Sequence, residues 1–258
     1  MTSIKQVSVL GTNVRVASLE GLLDECTSAI TARNKQIFFA CANVHSVILA
    51  RTDEQFAGAL RDVTQLVADG IGVVIAARLV CATSLSRVTG AQYFFALTRR
   101  IAKQRGRKVF FLGSSQETLL GIAHRFRMQF PSIEVCGTYS PPFGSWSPEE
   151  NEKIISVINR ARPDVLWVGM TAPKQEKWIH ENRGRVDASV IGAIGAVFDF
   201  FAGTKKRAPA WMCKIGAEWI FRLVYEPRRL WRRHFISIPA FVALVLLAAA
   251  RNMFTRKT

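Results

Sequence analysis

KVFFLGSSQETLLGIAHRFRMQFPSIEVCGTY, residues Lys108–Tyr139, decides the fold. Lys108–Leu112 is a short apolar run of strand length, and Gln116–Phe130 has helical spacing. A second short run, Glu134–Gly137, follows after Pro131. The alternation then repeats: helix Pro148–Ala161, strand Val165–Gly169, helix Pro173–Glu181, strand Ala188–Ile194. Short apolar strands separated by helices of this length predict an α/β fold, a parallel sheet with helices on both faces. Pro141-Pro142-Phe143-Gly144 interrupts the pattern as a loop.

Upstream, Gln6–Ser18 alternates apolar and polar residues around Gly11-Thr12-Asn13, as a β-hairpin does. Leu19–Ala32 reads as a helix and Ile37–Cys41 as a buried strand. Helices near Val44–Arg51 and Glu54–Arg61, a strand Gln65–Ala68 and a helix near Gly90–Gln104 complete the first half. After Gly203 the strand signals stop and aromatic residues interleave with arginines. The expected organisation is an α/β catalytic domain over residues 1–203 and a helical, membrane-associating appendage over residues 204–258.

The chain has 258 residues, 49% of them hydrophobic, enough to bury a full core. Lys and Arg number 35 against 19 Asp and Glu, a net charge of +16. From Thr204 onward 12 basic residues face only Glu218 and Glu226, so that segment carries most of the surplus. Such a tail calls for a polyanionic partner: a phosphate-bearing lipid, a membrane surface, a diphosphate or a nucleic acid. Five scattered cysteines without a CxxC pair disfavour a zinc site or a disulfide framework. Met1–Arg15 lacks the apolar run of a signal peptide, which points to the cytoplasm. No GxGxxG, GxxxxGK[ST] or HExxH is present, so dinucleotide, P-loop and zincin chemistry gain no support.

Asp69 stands at the C-terminal end of a strand, before Gly70. Ligands of open α/β sheets bind beyond those ends, and a carboxylate there can act as a general base. Capping the next helix is the competing use of an Asp, and locally the better supported one. Pro173-Lys174-Gln175-Glu176 opens a helix directly after a strand, where unpaired N–H groups favour anions. Lys174 adds a cation and Gln175 a two-way amide, whereas Pro173 and Glu176 are explained by helix-start chemistry alone. Arg87, before Val88-Thr89-Gly90, could clamp a phosphate or be a solvated loop arginine. Asp199, between Phe198 and Phe200, is either a ligand group or a paired structural acid. Gly113-Ser114-Ser115 is a loose likeness of a phosphate loop.

An ordered set of motifs runs along the chain: ANVHSV (Ala42–Val47), ADG (Ala68–Gly70), RVTG (Arg87–Gly90), FFLGSS (Phe110–Ser115), a YPP-like spacing (Tyr139–Phe143) and PDVLWVGMTAPKQEKWI (Pro163–Ile179). GAVFDFFAGTKKRAP (Gly195–Pro209) and EWIFRL with EPRR (Glu218–Arg229) complete it. From about Phe38 to about Arg233 the set resembles the WecG/TagA/CpsF glycosyltransferases, glycosyltransferase family 26. The resemblance implies a Rossmann-like body and a metal-independent, cofactor-free inverting transferase. It would move N-acetylmannosamine, its uronic acid or glucose from UDP to a polyprenyl-diphosphate-linked sugar, in polysaccharide synthesis at the cytoplasmic face of the membrane. Under it the base falls on Asp69, the RVxG arginine on Arg87 and the PKQE glutamine on Gln175. Asn43 and Gly70 join the substrate-binding set with Lys174 and Asp199, and Arg222, Arg229 and Arg232 are candidates to close over the diphosphate. Cys41 stands where the family usually has Thr; a thiol is a poorer hydrogen-bonding group, and strand packing is its favoured role.

Two other functions compete. The charge and interleaved aromatics suit a non-catalytic nucleic-acid-binding protein, but the charge abuts an apolar run, which favours a membrane over a nucleic acid. A nucleotide-sugar dehydrogenase lacks its fingerprint. The apolar run Phe235–Ala250 is 16 residues without a charge, with Pro239 near its start. At about 1.5 Å per residue it reaches only about 24 Å, short of a bilayer core about 30 Å thick. Interfacial binding to an anionic, peripheral membrane surface is therefore expected, ahead of packing on the body or on a second subunit of a homo-oligomer.

Overall fold

In the computed structural model, which describes residues 5–206, 208–214 and 218–255, the apolar runs pair as one parallel sheet. A hairpin, β1 (Gln6–Val9) and β2 (Thr12–Arg15), leads into α1 (Leu19–Ala32), β3 (Ile37–Ala42), α2 (Val44–Leu49), α3 (Glu54–Arg61) and β4 (Gln65–Ala68). Then come α4 (Ile71–Cys81), α5 (Gly90–Ile101), β5 (Arg107–Leu112), α6 (Gln116–Gln129), β6 (Ile133–Tyr139) and α7 (Pro148–Ala161). β7 (Val165–Val168), α8 (Lys174–Asn182), β8 (Val190–Ala193), α9 (Val197–Ala202), α10 (Ala210–Lys214), α11 (Glu218–Tyr225) and α12 (Pro227–Thr255) follow. Among the described residues the main sheet has six strands in the order β4-β3-β8-β7-β5-β6, all parallel.

Both faces of the sheet are buried, which is why its strands read as continuous apolar runs. Phe38, Ala40, Phe110, Leu166 and Ile191 point to one core, with α3, α4, α7 and α8 over it. Phe39, Phe111, Val165, Trp167 and Val190 point to the other, under α1, α5, α6 and α9. The helix starts follow from local chemistry. Ser18, Asn43, Asp53, Thr89, Ser115 and Ser147 each accept a hydrogen bond from a backbone N–H of the first turn, worth about 1 kcal/mol apiece. Asp164, at the start of β7, accepts from the Lys108 N–H at 2.8 Å and so pins the bottom of β7 to β5.

The sequence pattern misplaces several features. The hairpin turns at Leu10-Gly11, both at positive φ, so Thr12 and Asn13 belong to β2. The pattern gives α4 no boundaries, because IGVVIAARLVC is almost uniformly apolar and its N-cap, Gly70, has no side chain to signal a start. α9, of six residues, is too short to show a period. Pro173 is the N-cap of α8 rather than its first residue.

The largest revision concerns the tail. α12 continues through Pro239, which does not interrupt it. One side of it packs on α2 and α4, burying Phe241 and Val245 in the first core. His45 Nδ1 and Ser237 Oγ are 2.9 Å apart, and Asn252 donates to the Val80 carbonyl at 2.7 Å. The other side stays bare: Phe235, Ile236, Val242, Leu246 and Leu247 are exposed. Packing on the body and exposure of apolar surface are thus two faces of one helix. Phe235–Asn252, with mean hydropathy 1.8, is long and apolar enough by composition to cross a bilayer.

Trp167 on β7 lies directly opposite Gly192 on β8. A Cβ at position 192 would stand 2.4 Å from the indole, which is fully buried. Gly192→Ala is therefore expected to destabilise the fold by about 1–3 kcal/mol, as overpacking of a rigid core does, read from the denaturant midpoint.

Candidate functional site

Parallel strands joined by crossovers all end at one edge, and loops from that edge open on a shared crevice. Here all six strands of the main sheet contribute to the wall of a single cavity of about 1270 Å³. Cys41 and Asn43 come from the end of β3, Asp69 and Gly70 from β4, and Gly113–Ser115 from β5. The loop Pro141–Gly144 follows β6, Gly169–Gln175 follow β7, and Ile194–Asp199 follow β8. The volume exceeds the range of about 300–1,000 Å³ usual for a single small ligand.

Asp69 is not the cap that its local sequence suggests. Gly70 occupies the N-cap of α4, and the Asp69 N–H donates to the Ala42 carbonyl at 3.0 Å, tying β4 to β3. Arg87 is held in the wall: its Nε donates to the Asp69 carbonyl at 3.0 Å and its guanidinium to the Cys213 carbonyl of α10 at 2.9 Å. Thr89, two residues on, caps α5 in a reciprocal box with Gln92.

Asn43 caps α2, accepting from the Ser46 N–H at 3.1 Å, and still lines the cavity. Cys41 lines it too. Burial, reinforced by the negative charges of Asp69 and Glu176, holds the Cys41 thiol well above its usual pKa. Its side chain packs against the second core, as its sequence position suggests.

Gln175 is buried, and its amide oxygen accepts from the N–H groups of Met170 at 3.3 Å and Gly195 at 3.1 Å. Its Nε2 donates to Glu176 Oε1 at 2.8 Å. The two-way amide thus clamps the loops after β7 and β8 together. Glu176, assigned to helix-start chemistry by its position, is instead 3% exposed and faces the cavity; its only signal in the sequence is its place beside Gln175. Lys174 donates to the Gly144 carbonyl and lies 3.9 Å from the centre of the Trp146 ring. It fastens the Pro141–Gly144 loop, and partial burial pulls its pKa below the usual lysine value.

Asp199 lines the cavity and is a paired acid: it meets Lys205 at 3.1 Å, which also reaches Glu226 at 3.2 Å. The appendage supplies an apolar side to the same cavity through Trp219, Leu230, Ile238, Phe241 and Val242. Arg222 belongs to α11, and Arg229 and Arg232 to α12; their side chains lie outside the described residues. Sequence reasoning missed His45, Thr118, Trp146 and Thr171 in the lining. Among the described residues no cluster of three or more metal-ligating side chains occurs.

Known proteins resemble this chain in sequence. A Bacillus subtilis (strain 168) protein named N-acetylglucosaminyldiphosphoundecaprenol N-acetyl-beta-D-mannosaminyltransferase is 31% identical over 228 residues, 88% of this chain and 82% of its own. Proteins of the same name from Bacillus spizizenii and Staphylococcus aureus (strain NCTC 8325 / PS 47) are 33% and 30% identical, covering 83% and 80% of this chain and 80% and 78% of theirs. The profile of the Glycosyl transferase WecG/TagA/CpsF family matches residues 7–255. With a parallel sheet, a cavity built at its strand ends and a match over nearly its whole length, the chain belongs to the WecG/TagA/CpsF family of glycosyltransferases.

Proposed function

We propose that this glycosyltransferase moves N-acetylmannosamine, or a close relative of it, from UDP to a sugar linked through diphosphate to a polyprenyl lipid. The names of the relatives specify that acceptor class and that sugar for those proteins. The observation that carries the reading is the position of Asp69. It stands on the cavity wall at the end of β4, with Gly70 taking the capping position that would otherwise explain it.

In the proposed reaction an acceptor hydroxyl attacks the anomeric carbon from the face opposite UDP, and the configuration inverts. Asp69 takes the hydroxyl proton as the C–O bond forms. The bond to the UDP oxygen breaks, and the departing diphosphate gains negative charge that pre-placed donors and cations stabilise. Lys174, the start of α8, Arg87 and the arginines of the appendage, Arg222, Arg229 and Arg232, are assigned to that charge. Asn43, Gly70 and Asp199 are assigned to substrate contacts. Gln175 is assigned as a positioning residue, because its amide oxygen already serves two backbone N–H groups. The apolar bare face of α12 and the basic surplus of the appendage support work at the cytoplasmic membrane surface.

The direct test incubates the full chain with a panel of UDP-sugars and a prenyl-diphosphate-linked N-acetylglucosamine in excess EDTA. UDP release with at least one donor is expected. Release that depends wholly on added magnesium or manganese, or none with any donor, would overturn the mechanism.

Asp69→Asn keeps the size of the side chain and removes the base. Turnover is expected to fall roughly a hundredfold or more, with UDP affinity retained in a calorimetric titration. Gln175→Leu removes the shared acceptor and leaves two backbone donors unsatisfied. It is expected to cost about 1–3 kcal/mol per orphaned group and to raise hydrogen exchange at the Met170 and Gly195 amides, a local signature that a residue acting only on substrate would not give.

A further inference from the structure

We propose that the lip between the start of α4 and the middle of α12 is a subsite for the first isoprenoid units of the lipid acceptor. The inference rests on the lipid-linked reading above and assigns a place to the part of that acceptor which does not react. The cavity lining is mixed: Asp69, Arg87, Lys174 and Glu176 carry charge, while Ile71 at the start of α4 and Ile238, Phe241 and Val242 of α12 are apolar.

The apolar side is also the way out. Ile71 and Val242 line the cavity yet are 41% and 49% exposed, so each belongs to the interior wall and to the outer surface. Outward from them lie further exposed apolar residues, with Arg78 exposed among them on α4. Ile75 and Leu79 continue one ridge along α4, and Leu246 continues another along α12. The two helices run side by side in the same direction, with Gly72 near Phe241 at one end and Val80 bonded to Asn252 at the other. Neither helix contains a carboxylate in its sequence. Apolar surface of this extent, continuous with a polar cavity, marks a binding site.

A prenyl diphosphate has the matching division, a doubly charged head and a branched hydrocarbon chain on the next atom. Seating the acceptor's sugar at Asp69 and its diphosphate towards the mouth of the cavity sends the chain over Ile71 and Val242 and onto the two ridges. Those ridges then carry it to the bilayer without exposing it to water. A second copy of the protein is the other class of occupant for the strip, and it makes no demand on the head-group side.

The test uses the full chain, with farnesyl diphosphate and inorganic diphosphate as probes in calorimetry. The wild type is expected to bind the prenyl probe about tenfold or more tightly than diphosphate, since several methylenes leave water. Val242→Gln and Ile71→Gln, both at half-exposed positions, should bring that ratio towards one and leave diphosphate affinity unchanged. Equal affinities in the wild type, or a ratio that survives both substitutions, would overturn the subsite. So would a wild-type dimer that the substitutions dissociate while the ratio stays the same. If the ratio behaves as expected but no UDP-sugar supports turnover, the subsite stands and the proposed reaction falls.

Discussion

The main-chain pairing of six parallel strands is the constraint from which the other features descend. A parallel neighbour cannot be reached by a hairpin, so each connection must cross a face and return to the starting edge. Crossing helices bury both faces, which forces the strands to be apolar throughout. The same rule sends every strand end to one edge, so residues as far apart in sequence as Asn43 and Asp199 share a wall. Polar loops and helix starts then have only that edge in which to gather.

Those strand-end loops would move independently without cross-links, and the protein supplies them at short range. Gln175 joins the loops after β7 and β8, Arg87 joins the end of β4 to α10, and Lys174 ties the start of α8 to the loop after β6 through the Gly144 carbonyl and the Trp146 ring. These three residues, which look from the sequence like ligand groups, therefore organise the wall. Pre-placed dipoles gain most when they need not rearrange during the reaction, and buried, doubly bonded groups such as the Gln175 amide are fixed in that sense.

Much of this was legible in the sequence, for physical reasons. The strands showed because both their faces are buried, and the helices with capping side chains showed because Ser, Thr, Asn and Asp announce their starts. Helix α4 was not delimited, since an apolar helix capped by glycine has neither amphipathic period nor cap. The positions of Asp69 and Lys174 at strand ends were readable from order alone. The burial of Glu176 was not, because a glutamate in the first turn of a helix ordinarily faces water. The two-sidedness of α12 escaped for a related reason: its composition reports apolarity but not which face meets protein.

Helix α12 also gives the order of synthesis a role in building the cavity. The sheet, Asp69 and the clamp at Gln175 are all translated before the segment that carries Ile238, Phe241 and Val242. The nascent chain can therefore pair its six strands while one wall of the cavity, and the part of the first core that Phe241 and Val245 fill, is still missing. That wall arrives on a helix whose outward face is apolar and whose preceding residues are basic. Water disfavours the bare face of the docked helix, whereas a bilayer surface accepts it. Docking that helix therefore does two things at once: it completes the cavity and fills the first core with Phe241 and Val245.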